Sequence, residues 1–167
     1  SNVLLTSTNG SKYYFNEPGN YSFIGVSAGT TVTVRDLYIA TIAGSSQLTP
    51  ANEQQKVFAF IEHGGVVNFE NITAFTTSTG PLVGYNAYNN GAWTGTVNIY
   101  SGVMNATLDS NILSLAAGSV VNLIPTGNIM VEGKLGKVTS VNILDLLGMP
   151  VRTAVETKDF TTFTQID

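Results

Sequence analysis

The sequence predicts an all-β chain: a short right-handed parallel β-helix (β-solenoid) ending in a C-terminal β-hairpin. Three observations predict it. First, a tripeptide keeps returning as Val67-Asn68-Phe69, Val97-Asn98-Ile99, Val121-Asn122-Leu123 and Val141-Asn142-Ile143, with Val32-Thr33-Val34 as a fifth copy. On a strand each copy sends two apolar side chains inward and one polar side chain outward. Second, successive copies start 35, 30, 24 and 20 residues apart, and strands recurring every ~20–50 residues are the signature of a solenoid. Third, glycine turns precede the copies, at Gly29, Gly64-Gly65, Gly95 and Gly118, and helical periodicity is nearly absent.

Residues 1–28 are expected to form N-terminal cap strands. Tyr13-Tyr14-Phe15 and Tyr21-Ser22-Phe23-Ile24 flank the turn signal Asn16-Glu17-Pro18-Gly19-Asn20, which predicts two short strands with aromatic faces. The ends of a stack expose strand edges and an apolar cross-section, and need such a lid. Residues 29–140 are expected to form the coils, three strands to a turn. The first coil takes 31–34, a corner at Arg35-Asp36, then 37–42, a polar insert at 43–56, and 57–61. The second takes 66–69, a corner at Asn71, 72–75 and 81–85, followed by an insert at 86–93. The third takes 96–100, 103–108 and 112–115, and the fourth 120–124 and 129–131.

Residues 141–167 are expected to form a hairpin and tail, with 144–147 turning at Gly148-Met149-Pro150 into 151–155. Phe160-Thr161-Thr162-Phe163-Thr164 has no clear partner within the chain. Superposing the coils stacks Asn68, Asn98, Asn122 and Asn142 outward as an amide ladder with a spacing of about 4.8 Å. The same superposition lays Arg35 over Glu70, and Asp36 over Asn71 and Ser101. Both columns are read first as cross-strand stabilisers.

Composition removes several function classes. Only 11% of the 167 residues are charged, against roughly 25% in ordinary soluble domains, so Thr, Ser, Asn and Gly must solvate the surface. The net charge is −4 and the seven cations are scattered; nucleic acid, which demands several cations on one face, is excluded as a partner. Without cysteine there is neither a disulfide nor a thiolate metal site. The longest apolar stretch, 112–124, is broken by Ser114, Ser119 and Asn122, so no membrane insertion is expected.

Catalytic signals are equally thin. Glycoside hydrolysis needs a carboxylate pair about 5–10 Å apart, and the eleven acidic residues are spread along the chain. His63, the single histidine, lies in a glycine-rich turn with neither a nucleophile motif nor zinc spacing around it. Calcium, phosphate and dinucleotide loop motifs are missing. No catalytic residue, metal or cofactor is therefore expected. An enzyme with a site between subunits, drawing on Glu53, Glu62, Glu70 and Asp109, stays open. The stronger lead is the insert that holds Trp93, the only tryptophan. Rings stack on sugars while amides bond hydroxyls, which makes Tyr85, Tyr88, Asn89, Asn90 and Trp93 the candidate glycan-binding set. Packing of these rings under their own loop, or against a neighbouring subunit, is the equal alternative.

The segments Asn16-Glu17-Pro18-Gly19-Asn20-Tyr21-Ser22-Phe23, Gly29-Thr30-Thr31-Val32-Thr33-Val34 and Gly65-Val66-Val67-Asn68-Phe69-Glu70-Asn71-Ile72 resemble coils of the pectate-lyase-like superfamily. Within it the chain is similar in style to bacteriophage tailspike and tail-fibre domains, over roughly residues 13–147. The resemblance implies a homotrimer in a virion tail appendage or an extracellular setting. It also implies a receptor-binding or adhesive module that recognises a bacterial surface polysaccharide or lipopolysaccharide. The alternatives are a fragment of a polysaccharide-degrading β-helix enzyme and a ligand-free shaft segment. No catalytic residue of a lyase or depolymerase carries over. The chain departs from the pattern in being short and in lacking a helix to plug the stack. Coils that shrink to about 20 residues leave ~6–7 per side, a thin core that favours obligate association.

Overall fold

A computed structural model describes residues 2–8, 12–15, 24–41, 59–61, 64–76, 82–85, 94–106, 112–115, 118–124, 126–132, 141–144, 150–154 and 162–165. The described residues hold β-strands and no helix, and the strands are numbered in chain order. The first sheet runs β1 (Asn2–Thr6), β4 (Thr31–Arg35), β7 (Val66–Glu70), β10 (Thr96–Ile99), β13 (Val120–Leu123), β15 (Val141–Leu144) and β16 (Pro150–Ala154). The second runs β2 (Lys12–Phe15), β5 (Tyr38–Thr41), β8 (Ile72–Thr76), β11 (Gly102–Ala106), β14 (Ile129–Glu132) and β17 (Thr162–Gln165). The third runs β3 (Ile24–Val26), β6 (Ala59–Ile61), β9 (Val83–Tyr85) and β12 (Leu113–Ser114).

Parallel neighbours need a crossover between them. Here the crossover from β4 to β7 passes through β5 and β6, one strand in each of the other sheets. The same order repeats through β7, β8, β9 and through β10, β11, β12. Every pairing is parallel except β15 with β16 and β14 with β17.

The register follows from the tripeptide. Val32, Val67, Val97 and Val121 stand in line on the inner face of the first sheet, as do Val34, Phe69, Ile99 and Leu123. All eight are buried. They meet Ile39, Ala74, Met104 and Val131 from the second sheet and Ala59, Ile61, Val83 and Leu113 from the third in one hydrophobic cluster. Slipping any strand by one residue would turn its apolar set to water, and this fixes the register.

On the outer face the expected amide ladder is formed. Asn142 Nδ2 donates to Asn122 Oδ1 at 3.0 Å, Asn122 to Asn98 at 2.8 Å and Asn98 to Asn68 at 2.9 Å. Asn68 closes the chain on Thr33 Oγ1 at 3.2 Å. Asn68, Asn98 and Asn122 each spend one N–H and one carbonyl in the same direction, so the bonds polarise one another. Asn98→Ala interrupts two of them at half-buried positions, where water takes over in part. The expected cost is about 1–2 kcal/mol, read as a lower urea midpoint at constant slope. An unchanged midpoint would mean that the ladder adds nothing beyond solvation.

Three features of the ends differ from expectation. Asn2–Thr6 is a strand that the sequence does not announce, and it pairs in register with β4. With β2 and β3 it adds a full set of strands to the same three sheets. The hairpin exists, but its first arm is Val141–Leu144, the last tripeptide copy itself, instead of 144–147. The tail does find a partner within the chain, because Thr162–Gln165 pairs antiparallel with Ile129–Glu132. β16 and β17 thus close two sheets with antiparallel strands, covering edges that a further parallel strand would otherwise extend.

Candidate functional site

The described residues form an open cleft at the corner where the chain passes from the first sheet to the second. The turn is tight: Asp36 and Leu37 join β4 to β5, and Asn71 alone joins β7 to β8. Such a turn needs a left-handed residue, and Asp36 (φ 55°) and Asn71 (φ 48°) supply it. Asp and Asn tolerate that region because their short polar side chains bond locally. Backbone pairing continues through the corner, with Asp36 N–H on the Glu70 carbonyl at 3.1 Å and Thr73 N–H on the Leu37 carbonyl at 3.0 Å.

The corner side chains stack as the sequence implies. Asn71 Nδ2 donates to Asp36 Oδ1 at 2.8 Å, and the Asn71 N–H donates to Ser101 Oγ at 2.7 Å. Ser7 Oγ donates to the Asp36 carbonyl at 2.7 Å. Just past the corner Tyr38 and Thr73 stand side by side in register on β5 and β8. Together with Thr8 and Leu37 these groups wall an open cleft of about 500 Å³, inside the roughly 300–1,000 Å³ range of small-ligand sites. The cleft combines a carboxylate, an amide, hydroxyls and an aromatic ring.

Beside it, Arg35 Nε lies 2.6 Å from Glu70 Oε2, with both side chains partly exposed. The hydrogen bond to Glu70, and then its charge, raise the Arg35 guanidinium pKa further. At such exposure the pair is screened by salt and adds little stability. Tyr100 follows Glu70 in the stack; burial first, and the Glu70 charge second, push its phenol pKa up. The folded state therefore holds that proton more tightly than the unfolded chain. The stability involved is complete below the ordinary tyrosine pKa of about 10 and drains away as pH rises through the higher folded-state value. Tyr100→Phe is expected to lessen the fall in urea midpoint between about pH 9 and about pH 11. An identical fall in both proteins would assign it to other groups.

Of the sequence-predicted binding set, Tyr85 is the last residue of β9, in register with the buried Ile61. Its side chain, and Tyr88, Asn89, Asn90 and Trp93 altogether, lie outside the described residues, as do Glu53, Glu62, His63 and Asp109. Glu70 is described and is committed to Arg35. No group of three or more His, Asp or Glu able to hold a metal ion occurs among the described residues.

No family model matches the chain, and neither a curated protein nor a solved structure does. What bears on function is the cleft and its chemistry. Sequence reasoning placed Asp36 over Asn71 but missed the site, because Tyr38 and Thr73 differ in type. The signal that finds them is register, since each lies two residues beyond a superposed corner residue.

Proposed function

We propose that the chain is a non-enzymatic glycan-recognition module of a bacteriophage tail fibre or tailspike, acting on the virion or outside a cell. Its ligand is a bacterial surface polysaccharide or lipopolysaccharide. The three sheets wind as a short right-handed parallel β-helix, and three copies associate as a homotrimer. The repeating strand order supports the winding, and connections between parallel strands are right-handed in roughly 98% of cases.

The observation that carries the reading is the cleft at Asp36, Tyr38, Asn71 and Thr73. A ring that can lie against the C–H face of a sugar stands beside oxygen and amide groups that can bond its hydroxyls. Among the described residues Asp36 is the only carboxylate lining it, whereas hydrolysis of a glycosidic bond uses two. This favours binding over cleavage.

The test is binding to immobilised surface polysaccharides and lipopolysaccharides by the wild type and by Tyr38→Ala. Retention by at least one glycan, lost in the variant, is the expected result. If no glycan retains the wild type, the reading fails. Retention that survives Tyr38→Ala but quenches Trp93 fluorescence would move the ligand to the insert at 86–93. Light scattering tests the trimer, and a monomer at all concentrations would remove it.

A further inference from the structure

We infer that the cleft selects a sugar face presenting hydrogen-bond donors, either the adjacent hydroxyls of a neutral sugar or the amine of an amino sugar. It turns away the carboxylate, sulfate or phosphate groups of acidic glycans. This inference rests on the glycan-binding reading above and deepens it. It comes from counting donors and acceptors at the corner. Asn71 spends one of its two side-chain N–H bonds on Asp36 Oδ1 and its backbone N–H on Ser101. Ser7 spends its hydroxyl proton on the Asp36 carbonyl.

What Asp36 and Asn71, which line the cleft, then have left to offer is mostly acceptor. An ionised carboxylate accepts only, so Asp36 Oδ2 asks for a donor, and so does the Asn71 carbonyl oxygen. One remaining Asn71 N–H opposes these lone pairs, and the Thr73 hydroxyl can serve either way. A sugar hydroxyl meets this surface by donating, and an ammonium donates and adds opposite charge, which makes its bond to Asp36 stronger. A ligand carboxylate brings only lone pairs and a like charge, an arrangement that disfavours the wrong partner.

Among the described side chains, the neighbouring guanidinium does not reverse the count. Arg35 is engaged with Glu70 at 2.6 Å. Lys12 occupies the register position beside Tyr38, one strand before it. The preference is thus set at the corner, while the Tyr38 ring sets the plane of the sugar.

The test uses ¹⁵N-labelled full chain titrated separately with methyl glucoside, glucosamine and glucuronate, reading the backbone amides of Asp36, Asn71 and Thr73. The neutral and amino sugars are expected to shift these amides at least tenfold more tightly than glucuronate. Asp36→Asn keeps one oxygen to accept from Asn71 and turns the other into an NH₂ donor. It should fold, because asparagine already holds the same left-handed conformation at position 71. It is expected to weaken glucosamine about tenfold or more and to bring glucuronate to parity or better.

Thr73→Val is the second variant, and should weaken the neutral sugar while keeping the discrimination against glucuronate. If glucuronate matches methyl glucoside on the wild type, the selectivity is overturned and the glycan reading stands. An unchanged order of preference in Asp36→Asn also overturns the selectivity. If none of the three sugars moves the cleft amides, both the inference and the placement of the glycan there are overturned.

Discussion

Phe69→Ala is expected to cost about 3–5 kcal/mol, a large share of the roughly 5–15 kcal/mol that holds a domain together. Among the described residues Phe69 is the largest of the fully buried side chains, at 0% exposure. It stands in register between Val34 and Ile99. Strands above and below are held by backbone hydrogen bonds at a spacing of about 4.8 Å, so the stack cannot close over the void. Ala74, the buried residue of β8 in the same cluster, is too small to fill it. Phe69→Leu keeps most of the volume and should cost under about 1.5 kcal/mol.

Phe75, six residues on, makes the control. It lies past the corner on the outer face of the second sheet and is 42% exposed, so Phe75→Ala should move the urea midpoint far less. Equal losses at the two phenylalanines would mean that the alternation across the Asn71 corner is misplaced.

That alternation also separates what was legible in the sequence from what was not. The parallel stack could be read because the same apolar–polar–apolar unit must recur wherever strands lie in register over one core. The amide ladder was readable for the same reason, since four asparagines hold one column. β1 occupies that register too, with Val3 beside Val32, Leu4 beside Thr33 and Leu5 beside Val34. It was hidden because leucine stands at the ladder position, where Leu4 is 51% exposed. Val3 shares the inward parity of Val32 yet is also 51% exposed, since no described strand lies beyond β1 to cover it.

β17 was hidden for a different reason. A closing antiparallel strand has no successor, so nothing in the sequence repeats to mark its pairing with β14. The cleft fell between the two cases. Its floor, Asp36 over Asn71, was readable by superposition, while its wall pairs unlike residues, Tyr38 with Thr73. Aromatic density pointed instead to the insert at 86–93. Aromatic density signals ligand contact and local packing alike, whereas register places side chains in space.

Gly102→Ala is the second large effect, and the corner depends on it. Gly102 opens β11 directly beneath Ile72, its partner in register, with a backbone φ of 121° that L side chains rarely adopt. A Cβ there would collide with the Ile72 carbonyl oxygen and lie 2.7 Å from its nitrogen. Neither atom can retreat as a side-chain tip can. Ile72 is backbone in the next strand, and Gly102 N–H is itself bound to the Asn128 carbonyl at 2.8 Å. Strain and collision together are expected to cost at least about 3 kcal/mol. Gly29→Ala calibrates this value: Gly29 is also left-handed, at φ 74°, but nothing lies within 4 Å of its added Cβ. It should show only the conformational penalty, about 1–2 kcal/mol. The difference between the two urea midpoints measures how closely the second and third corners are stacked. If Gly102→Ala costs no more than Gly29→Ala, then β8 and β11 do not meet as described. In that case the Asn71–Ser101 contact that steadies the cleft has no support beneath it.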